Sequence, residues 1–292
     1  MTRLSPYSIS QPAVVVADVD EAVDRVHELF GAVPSERLMG ANEVDQSGRV
    51  QDGSASRNAV YAFADTTFLE LLGPVEAGHT RWRFLQRFGP GYYMFCADLE
   101  NESPQEVADE LERLGVRVVA GGPGPRRGRL KASFHLHPHD ACGMLMLLAI
   151  KQDLHDNRDW AGESYRAYIE GNTRVAHAVK GVAARTSDPA GEAPEFGKLG
   201  FEMVPLGSGG WGWRGEGGTV LELWPEDAWD GDSVDEKRDY ALCLTAREPD
   251  TLVQRLERSG LKGQDGPRER WLSSVDPIIG VRWAVEAGDG GV

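Results

Sequence analysis

Three segments of this chain occur twice, in the same order. FLELLGP at 68–74 returns as VLELWP at 220–225, and ELERLGV at 110–116 returns as RLERSGL at 255–261. His137-Pro138, followed by Gly143 and an apolar run, returns as Asp276-Pro277, followed by Gly280 and a second apolar run. A chance likeness would not keep its order over three segments, so we predict two tandem copies of one module.

The repeat also sets the expected domain boundaries. We place a first module at 1–150, a linker at 151–172 and a second, shortened module at 173–292, and a chain of 292 residues is long enough for two cores of ordinary size. The linker is charged and aromatic, and we expect an ordered helix that packs across both modules.

Local patterns predict the order βαβββ in the first module. Asp18 begins a helix that ends at Gly31, and the capping box of Ser103 and Glu106 begins another that ends at Gly115. A long polar loop is expected at 40–57. The expected strands are 12–17, 59–63, 67–72, 92–99, 132–137 and 144–150. The fold class is therefore α+β, with tandem βαβββ modules whose curved mixed sheets surround a cleft.

Composition excludes several classes of function. A net charge of −15 disfavours nucleic acid, and the longest apolar run, 144–150, is too short to span a bilayer. Three unclustered cysteines argue against a disulfide framework, and no apolar signal segment follows Met1, so we expect a cytoplasmic protein. One basic stretch, 126–131, fits either a clamp for a phosphorylated group or a solvated hairpin tip.

Four segments carry a resemblance to a known family: AVVVADVDEA at 13–22, FLELLGP at 68–74, RFLQRFGPG at 83–91 and 137–143. They resemble the vicinal oxygen chelate superfamily, the glyoxalase/bleomycin resistance-like proteins, and most of all its methylmalonyl-CoA epimerase-like members. The resemblance covers nearly all of 7–150 and is looser in the second module. It implies paired βαβββ modules around a cleft in which a divalent metal chelates two adjacent oxygens and stabilises an enolate-like charge.

Carried over residue by residue, the family's metal ligands fall at Gln11, Glu70, Met94 and Leu147. A thioether and a leucine cannot replace imidazole or carboxylate for these metals. In the second module the corresponding positions are about Gly181, Glu222, Ala241 and Ala284. Of these four residues, only Glu222 has a side chain that can coordinate a metal. The resemblance therefore implies a site that has lost its metal, and we expect no cofactor; a divalent metal in a rearranged site is the disfavoured alternative.

Glu70 and Glu222 each lie between leucines in an apolar strand. If both face the cleft, desolvation raises the carboxylate pKa toward the range of a general base, whereas the alternative is a solvated sheet face. We take Glu70 as the leading catalytic residue, with Gln11, Tyr92 or His137 as polarising groups, and count Tyr92 and His137 as catalytic candidates. His135 and His137 are two residues apart and would share a strand face. They could form a relocated metal site or an acid–base pair. Alternatively, His137 belongs to the turn before the last strand and His135 lies at a sheet edge.

The remaining candidates bind the ligand. By strand alternation Tyr92, Met94 and Cys96 share one face. Trp211 and Trp213 also share a face, as a stacking wall for a planar ligand or as core filling. The full set of expected ligand-binding residues is Gln11, Phe68, Met94, Cys96, Leu147, His135, Glu222, Trp211 and Trp213.

These residues favour a glyoxalase-like enzyme that acts on a hydrophobic, carbonyl-containing small molecule by metal-independent proton transfer, of the isomerase or lyase type. One alternative is a non-catalytic small-molecule binding or resistance protein. Another is a metal-dependent epimerase or lyase with a rearranged site. The expected partner is the small molecule, with no nucleic acid and no membrane, and a homodimer stays open.

Overall fold

The computed structural model describes residues 3–39, 57–63, 67–74, 77–124, 130–141, 143–162, 165–172, 176–230 and 239–287. Most of the loop expected at 40–57, and the arginines at 126, 127 and 129, lie outside these ranges. None of the helices in the described ranges is long and apolar enough to cross a membrane.

The first module forms an eight-stranded mixed sheet in its described residues. Its elements are β1 (Pro6–Val15), α1 (Val19–Phe30), β2 (Glu36–Met39), β3 (Arg57–Ala62), β4 (Phe68–Leu72), α2 (Thr80–Phe88), β5 (Gly91–Leu99), α3 (Pro104–Arg113), β6 (Val118–Gly122), β7 (Leu130–Leu136) and β8 (Leu145–Lys151). The strand order is β2-β3-β4-β1-β5-β8-β7-β6, with β1 and β5 antiparallel at the centre.

Two short helices follow, α4 (Arg158–Ala161) and α5 (Tyr165–Asn172), in place of the single linker helix that was expected. The second module then repeats the first. Its elements are β9 (Ala176–Thr186), α6 (Pro189–Lys198), β10 (Val204–Gly207), β11 (Gly210–Arg214), β12 (Val220–Pro225), β13 (Tyr240–Ala246), α7 (Pro249–Arg258), β14 (Gly263–Asp265), β15 (Trp271–Ser273) and β16 (Arg282–Ala287).

The second sheet has the same strand order as the first, β10-β11-β12-β9-β13-β16-β15-β14. Glu70 of β4 pairs with Ala13 of β1, and Glu222 of β12 pairs with Ala183 of β9 at the matching register. The tandem repeat and the α+β fold class are confirmed. Each sheet holds the βαβββ order twice, once on each side of its central antiparallel pair, which is one level of repetition more than the sequence revealed.

Helix ends follow the residues that predicted them. Asp18 accepts hydrogen bonds from the backbone N–H groups of Asp20 and Glu21, and Gly31 ends α1 at φ 69°. Ser103 caps α3 through the N–H of Glu106. These caps satisfy backbone donors that have no partner inside the helix.

The two sheets pack on each other through the faces that carry α1, α3, α6 and α7, and a single apolar core contains residues of both modules. Phe30 meets Trp283 edge-on at 5.0 Å between ring centroids, and Tyr92 stacks on Tyr240 at 4.2 Å. Because this shared core occupies one face of each sheet, the opposite faces belong to separate modules. We call the face that points away from the shared core the inner face of each sheet.

Candidate functional site

Seven of the residues predicted to react with or bind a ligand lie together on the inner face of the first sheet. One row across the strands pairs Gln11 with Cys96, Cys96 with Leu147, and Leu147 with His135. Ala13 pairs with both Glu70 and Met94, which places those two side chains on the same face. Phe68, two residues before Glu70, completes the group.

Glu70 is the ionisable group at the centre of this surface. Asn58 Nδ2 donates a hydrogen bond to Glu70 Oε1 at 2.9 Å, and Arg81 Nη1 donates to Asn58 Oδ1 at 3.2 Å. Within the described part of the chain, no hydrogen bond is made to Oε2 of Glu70. Burial raises the pKa of Glu70, and the charge of Arg81 and the bond from Asn58 offset this only in part. Such a carboxylate can accept a proton on one oxygen while the other is held in place.

Hairpin register and a helix cap bring these three residues together. Val60 of β3 lies opposite Glu70, so Asn58, two residues earlier on the same face, reaches Glu70 diagonally. His79 caps α2 by accepting a hydrogen bond from the N–H of Arg81, which fixes Arg81 in the first turn. Farther along α2, Phe84 and Leu85 pack against the apolar residues of the inner face.

The linker covers the same surface. Tyr165 of α5 is 2% exposed and meets Phe68 edge-on at 5.8 Å between ring centroids, and Trp160 of α4 packs beside it. Together with α2, these helices cover part of the inner face of the first sheet, on which Glu70 and His135 are half-buried. The side chains packed around Glu70 desolvate its carboxylate, and this is the largest cause of its raised pKa.

A buried ion pair anchors the start of the linker. Lys151 Nζ lies 2.6 Å from Asp98 Oδ2, and both side chains are nearly inaccessible to solvent. The same ammonium donates to Asn157 Oδ1 at 2.6 Å and to the carbonyl of Leu154 at 3.4 Å. Burial raises the pKa of Asp98, although Lys151 opposes the shift. Because all of these acceptors surround one charge, the 151–157 segment is held against β5.

Cys96 lies on the inner face of the first sheet as a buried thiol. Burial, followed by the negative charges of Glu70 and Asp98, raises its pKa well above the ordinary value. A thiol in these surroundings stays protonated, so Cys96 contributes apolar contact and no nucleophile.

Glu222, the counterpart of Glu70, also faces inward but is not the lone carboxylate that the sequence predicted. Arg270 donates to both of its oxygens, at 2.6 and 2.9 Å, and Arg268 and Trp224 donate at 2.8 and 2.9 Å. Burial alone would raise the pKa of Glu222, yet Arg270, Trp224 and Arg268 together hold it below its ordinary value. The expectation that Glu222 binds a ligand is therefore corrected, since all of its accepting positions are used within the protein.

Tryptophan side chains fill the rest of the inner face of the second sheet. Trp224 and Trp229 pack against Ala183, Ala241 and Ala284, the small residues of that surface. The cavity left between them measures about 10 Å³. That is room for about one water molecule and too little for an organic ligand.

Tyr92, Trp211 and Trp213 were predicted to face the ligand, but all three lie on the sheet faces that form the shared core. Tyr92 belongs to the shared core, because a bulge between Tyr92 and Met94 reverses the alternation of β5, so it does not share a face with Met94 and Cys96. Trp211 and Trp213 do share a face, but they also pack in the shared core, Trp213 against Phe201 at 5.0 Å. They fill the core and form no stacking wall.

His137 leaves the strand and takes part in a turn. Strand β7 ends at Leu136, and His137 Nδ1 accepts a hydrogen bond from the N–H of His139 at the start of a 3₁₀ turn, Pro138–Asp140. Arg117 lies beside the ring and pairs with Asp140, whose pKa it holds well below the usual range. The structure therefore assigns His137 to the turn before β8, while His135 alone stays on the inner face.

Comparisons with known proteins bear on the fold. No family model and no curated protein matches the chain. Among solved structures, a triple mutant of 4-hydroxymandelate synthase from Streptomyces coelicolor is similar over 99% of this chain and 94% of its own, at 13% identity and a TM-score of 0.60. The chain has the fold of the vicinal oxygen chelate superfamily.

Two other solved structures are also similar to about half of this chain. Methylmalonyl-CoA epimerase from Mycobacterium tuberculosis is 22% identical over 52% of this chain and 94% of its own, with a TM-score of 0.40. A hypothetical protein from Bacillus halodurans is 19% identical over 52% of this chain and 99% of its own, with a TM-score of 0.39.

The side chains at the metal position of the vicinal oxygen chelate fold do not form a donor set. Gln11 and Glu70 carry oxygen donors, but Met94 and Leu147 at the other two positions pack in the apolar cluster of the inner face. Among the described residues, no group of three or more His, Cys, Asp or Glu side chains is arranged to hold a metal ion. These residues do not fit the metal that the fold family implies.

Several residues that shape both inner faces were missed from the sequence. Asn58 had a usable signal, since the predicted hairpin already places it on the face of Glu70. Arg268 and Arg270 flank Glu269 immediately before β15, and a charged run before a short strand is ordinarily read as a solvated loop. For Arg81, Asp98 and Lys151 no local pattern existed, because their partners lie far away in sequence.

Proposed function

We propose that this protein is a glyoxalase-like enzyme that works without a metal on a hydrophobic, carbonyl-containing small molecule. Glu70 acts as the general base of an isomerase- or lyase-type proton transfer on the inner face of the first sheet. The supporting observation is the half-buried Glu70 carboxylate, with Oε1 held by Asn58 and Oε2 accepting no hydrogen bond within the described residues. We also expect it to act in the cytoplasm, where the buried thiols Cys96 and Cys243 remain reduced.

The contrast between the duplicated glutamates supports Glu70 over Glu222. A general base needs a lone pair that points at the substrate and a pKa raised toward neutrality. Glu222 meets neither requirement, because three side chains donate to its oxygens and lower its pKa. Glu70 has the raised pKa and one bound oxygen.

The surroundings of Glu70 indicate the class of substrate. Phe68, Met94 and Leu147 offer apolar contact on the same face, and Gln11 is 2% exposed among them. A mostly apolar surface with one amide and one carboxylate suits a hydrophobic ketone or thioester better than a small dianion.

Deuterium exchange tests this function without knowledge of the natural substrate. A panel of hydrophobic ketones and thioesters is incubated with the protein in D₂O, and loss of the α-proton signal is followed by NMR. We expect exchange with at least one member of the panel, and a loss of about a hundredfold or more in Glu70→Gln, since general-base catalysis typically contributes factors of 10²–10⁴.

Ligand affinity of the same variant separates the alternatives. Glu70→Gln keeps the shape of the side chain, so binding measured by calorimetry should persist while exchange stops. Binding without exchange in the wild-type protein would favour the non-catalytic binding or resistance protein. A near-stoichiometric first-row metal in protein purified without chelators would favour the rearranged metal site.

A further inference from the structure

Gln11 is a buried amide beside the proposed base. Ala13 of β1 pairs with Glu70 of β4, and Gln11 is two residues before Ala13 on the same face, where it pairs with Cys96. Gln11 is 2% exposed, and no hydrogen bond joins its side chain to another of the described residues. Such a group is costly to bury, and a catalytic role is among the reasons for which proteins keep one.

Glu70 lies between two amides that differ in their bonding. In the strand order β3-β4-β1, Asn58 is on one side of Glu70 and Gln11 is on the other. Asn58 donates to Glu70 Oε1 at 2.9 Å and accepts from Arg81 at 3.2 Å, so both ends of its amide are used. The amide of Gln11 has no bond of this kind to a described residue. One amide therefore positions the base, and the other is available to a ligand.

Of the three polarising groups expected from the sequence, Gln11 alone lies on the inner face. Tyr92 packs in the shared core, and His137 takes part in the turn before β8. Strand spacings place the Cα atoms of Gln11 and Glu70 about 8 Å apart. Ala13, beside Glu70 on β1, has only a methyl group, so no long side chain of β1 separates the two. Both side chains can therefore reach one ketone group, Glu70 at the carbon and Gln11 at the oxygen.

Removal of a proton next to a carbonyl moves negative charge onto the carbonyl oxygen, which then needs a partner. The vicinal oxygen chelate fold implies a divalent metal in that place, but Met94 and Leu147 leave the set of metal ligands incomplete in this chain. A hydrogen-bond donor also stabilises such an oxygen, as in the oxyanion holes of enzymes. The amide nitrogen of Gln11 carries two N–H donors.

We propose that Gln11 is a catalytic residue, whose Nε2 donates a hydrogen bond to the carbonyl oxygen of the substrate and stabilises the enolate formed when Glu70 removes the neighbouring proton. This inference rests on the proposed function and specifies its substrate class. An amide donates through a dipole without net charge, and one such donor is worth a factor of about 10²–10³ in rate. The substrate must therefore stabilise its own enolate further, through an aryl group or a second carbonyl that shares the negative charge.

The step balances within the protein and substrate. The C–H bond breaks, its proton passes to Oε2 of Glu70, and its electron pair forms the C=C bond of the enolate. The former carbonyl oxygen gains the negative charge and keeps the hydrogen bond from Gln11. Return of the proton from Glu70 to carbon restores the carbonyl and completes the isomerisation.

Two isomeric ketones, 2-tetralone and 1-tetralone, test the substrate class. They have the same size, but only in the C1 enolate of 2-tetralone does the negative charge spread into the aromatic ring. Deuterium uptake from D₂O is followed by NMR and compared with the rate in buffer. We expect acceleration at C1 of 2-tetralone that falls about a hundredfold in Gln11→Met, and little acceleration at C2 of 1-tetralone.

The carbonyl stretching frequency of a bound ketone tests Gln11 without turnover. Infrared difference spectra are recorded with 1-tetralone labelled with ¹³C at the carbonyl, bound to each protein. A hydrogen bond weakens the C=O bond, so the frequency should be lower in the wild type than in Gln11→Met. Gln86→Met, at an exposed glutamine of α2, is the matched control and should give the wild-type frequency.

Stability separates this role from a structural one. Gln11→Met replaces a buried amide that has no partner among the described residues by an apolar side chain of similar length. The urea midpoint should therefore stay the same or rise while the exchange rate falls, as expected at a functional position. A lower midpoint together with an unchanged carbonyl frequency would show that Gln11 is structural, and the inference would be overturned.

The remaining outcomes are also decisive. A carbonyl frequency that is equal in the wild type and Gln11→Met, or no binding of either tetralone to the wild type, overturns the role of Gln11. Exchange that depends on Glu70 but not on Gln11 overturns it too and leaves the proposed function intact. Equal acceleration of both tetralones overturns the substrate class. A frequency shift that depends on Gln11, with no exchange of any ketone, supports the carbonyl site and overturns only the proposed function.

Discussion

A duplicated residue does not keep the same chemistry when its neighbours change. Glu70 and Glu222 occupy matching positions in matching strands, yet the pKa of one is raised and that of the other is lowered. The difference comes from the cations within reach. Arg270 binds Glu222 directly with two N–H groups, whereas Arg81 is separated from Glu70 by the amide of Asn58. At the residue scale, therefore, one copy holds a half-buried carboxylate with a raised pKa and the other a structural ion pair.

Breaking the Glu222–Arg270 pair should strongly destabilise the protein. Glu222 is 1% exposed and Arg270 is 3% exposed, so Glu222→Gln leaves the buried guanidinium of Arg270 with the more exposed Glu286 as its remaining carboxylate partner among the described residues. We expect a loss of about 3–5 kcal/mol in the free energy of unfolding, measured by urea denaturation. The double variant Glu222→Leu with Arg270→Met should recover part of that loss. Equal stability of Glu222→Gln and the wild type would contradict this account.

Glu70 should make stability depend on pH in the opposite direction from a paired carboxylate. Its pKa is higher in the folded than in the unfolded protein, so its contribution is fully present below the unfolded value of about 4.5 and is lost as pH rises through the folded value. Glu70→Gln should therefore gain stability relative to the wild type as pH rises above that unfolded value toward neutrality. Urea titrations across this range measure the gain, with Glu102→Gln, at an exposed carboxylate, as the control.

At the scale of elements, the linker covers part of the candidate site. Its two short helices lie on the inner face of the first sheet, and Tyr165 contributes a buried ring against Phe68. Helices as short as these are not stable alone, so their order depends on that packing and on the anchor at Lys151.

Removing one ring from α5 should open this cover. Tyr165→Ala leaves a cavity against Phe68 and should lower the free energy of unfolding by about 3 kcal/mol. Hydrogen exchange should become faster in β3 and β4, measured by mass spectrometry. Tyr168→Ala, in the same helix but 37% exposed, should change neither quantity. Unchanged exchange in Tyr165→Ala would mean that the helix is not a cover.

Elements were predictable where a local pattern determined them, and the site was predictable only in part. The caps at Asp18 and Ser103 and the hairpin of β3 and β4 follow from neighbouring residues. The side of the sheet on which Glu70 lies did not follow from its apolar strand alone, because that pattern fitted either a cleft face or a solvated face. The sheet face on which Tyr92 lies could not be predicted, because a bulge in β5 reverses the alternation of side chains and no residue type in the sequence indicates that bulge. Partners such as Arg270 for Glu222 depend on the tertiary fold.

At the scale of the whole molecule, the two modules share a core and should unfold together. The aromatic contacts Phe30–Trp283 and Phe95–Phe201 cross between modules, as does the buried ion pair of Arg25 with Asp276. Backbone also approaches closely here, since a side chain at Gly280 would meet the carbonyl oxygen of Pro90 at 2.0 Å.

A single transition is therefore expected in urea. Circular dichroism reports on both sheets, whereas tryptophan fluorescence reports mainly on the second module, which holds Trp211, Trp213, Trp224, Trp229, Trp271 and Trp283. The two curves should coincide, and Trp283→Ala should shift both midpoints down by the same amount. Separate midpoints for the two signals would show that the modules unfold independently.

The helices at 158–172 connect the two modules and also cover the surface around Phe68 and Glu70. Supplying the two halves as separate polypeptides, or reversing their order along the chain, would therefore do more than cut a connection. The position of the cut would determine which half retains the linker helices. The half that begins at β1 would expose Phe68 and Glu70 to solvent unless residues 152–172 stayed joined to β8.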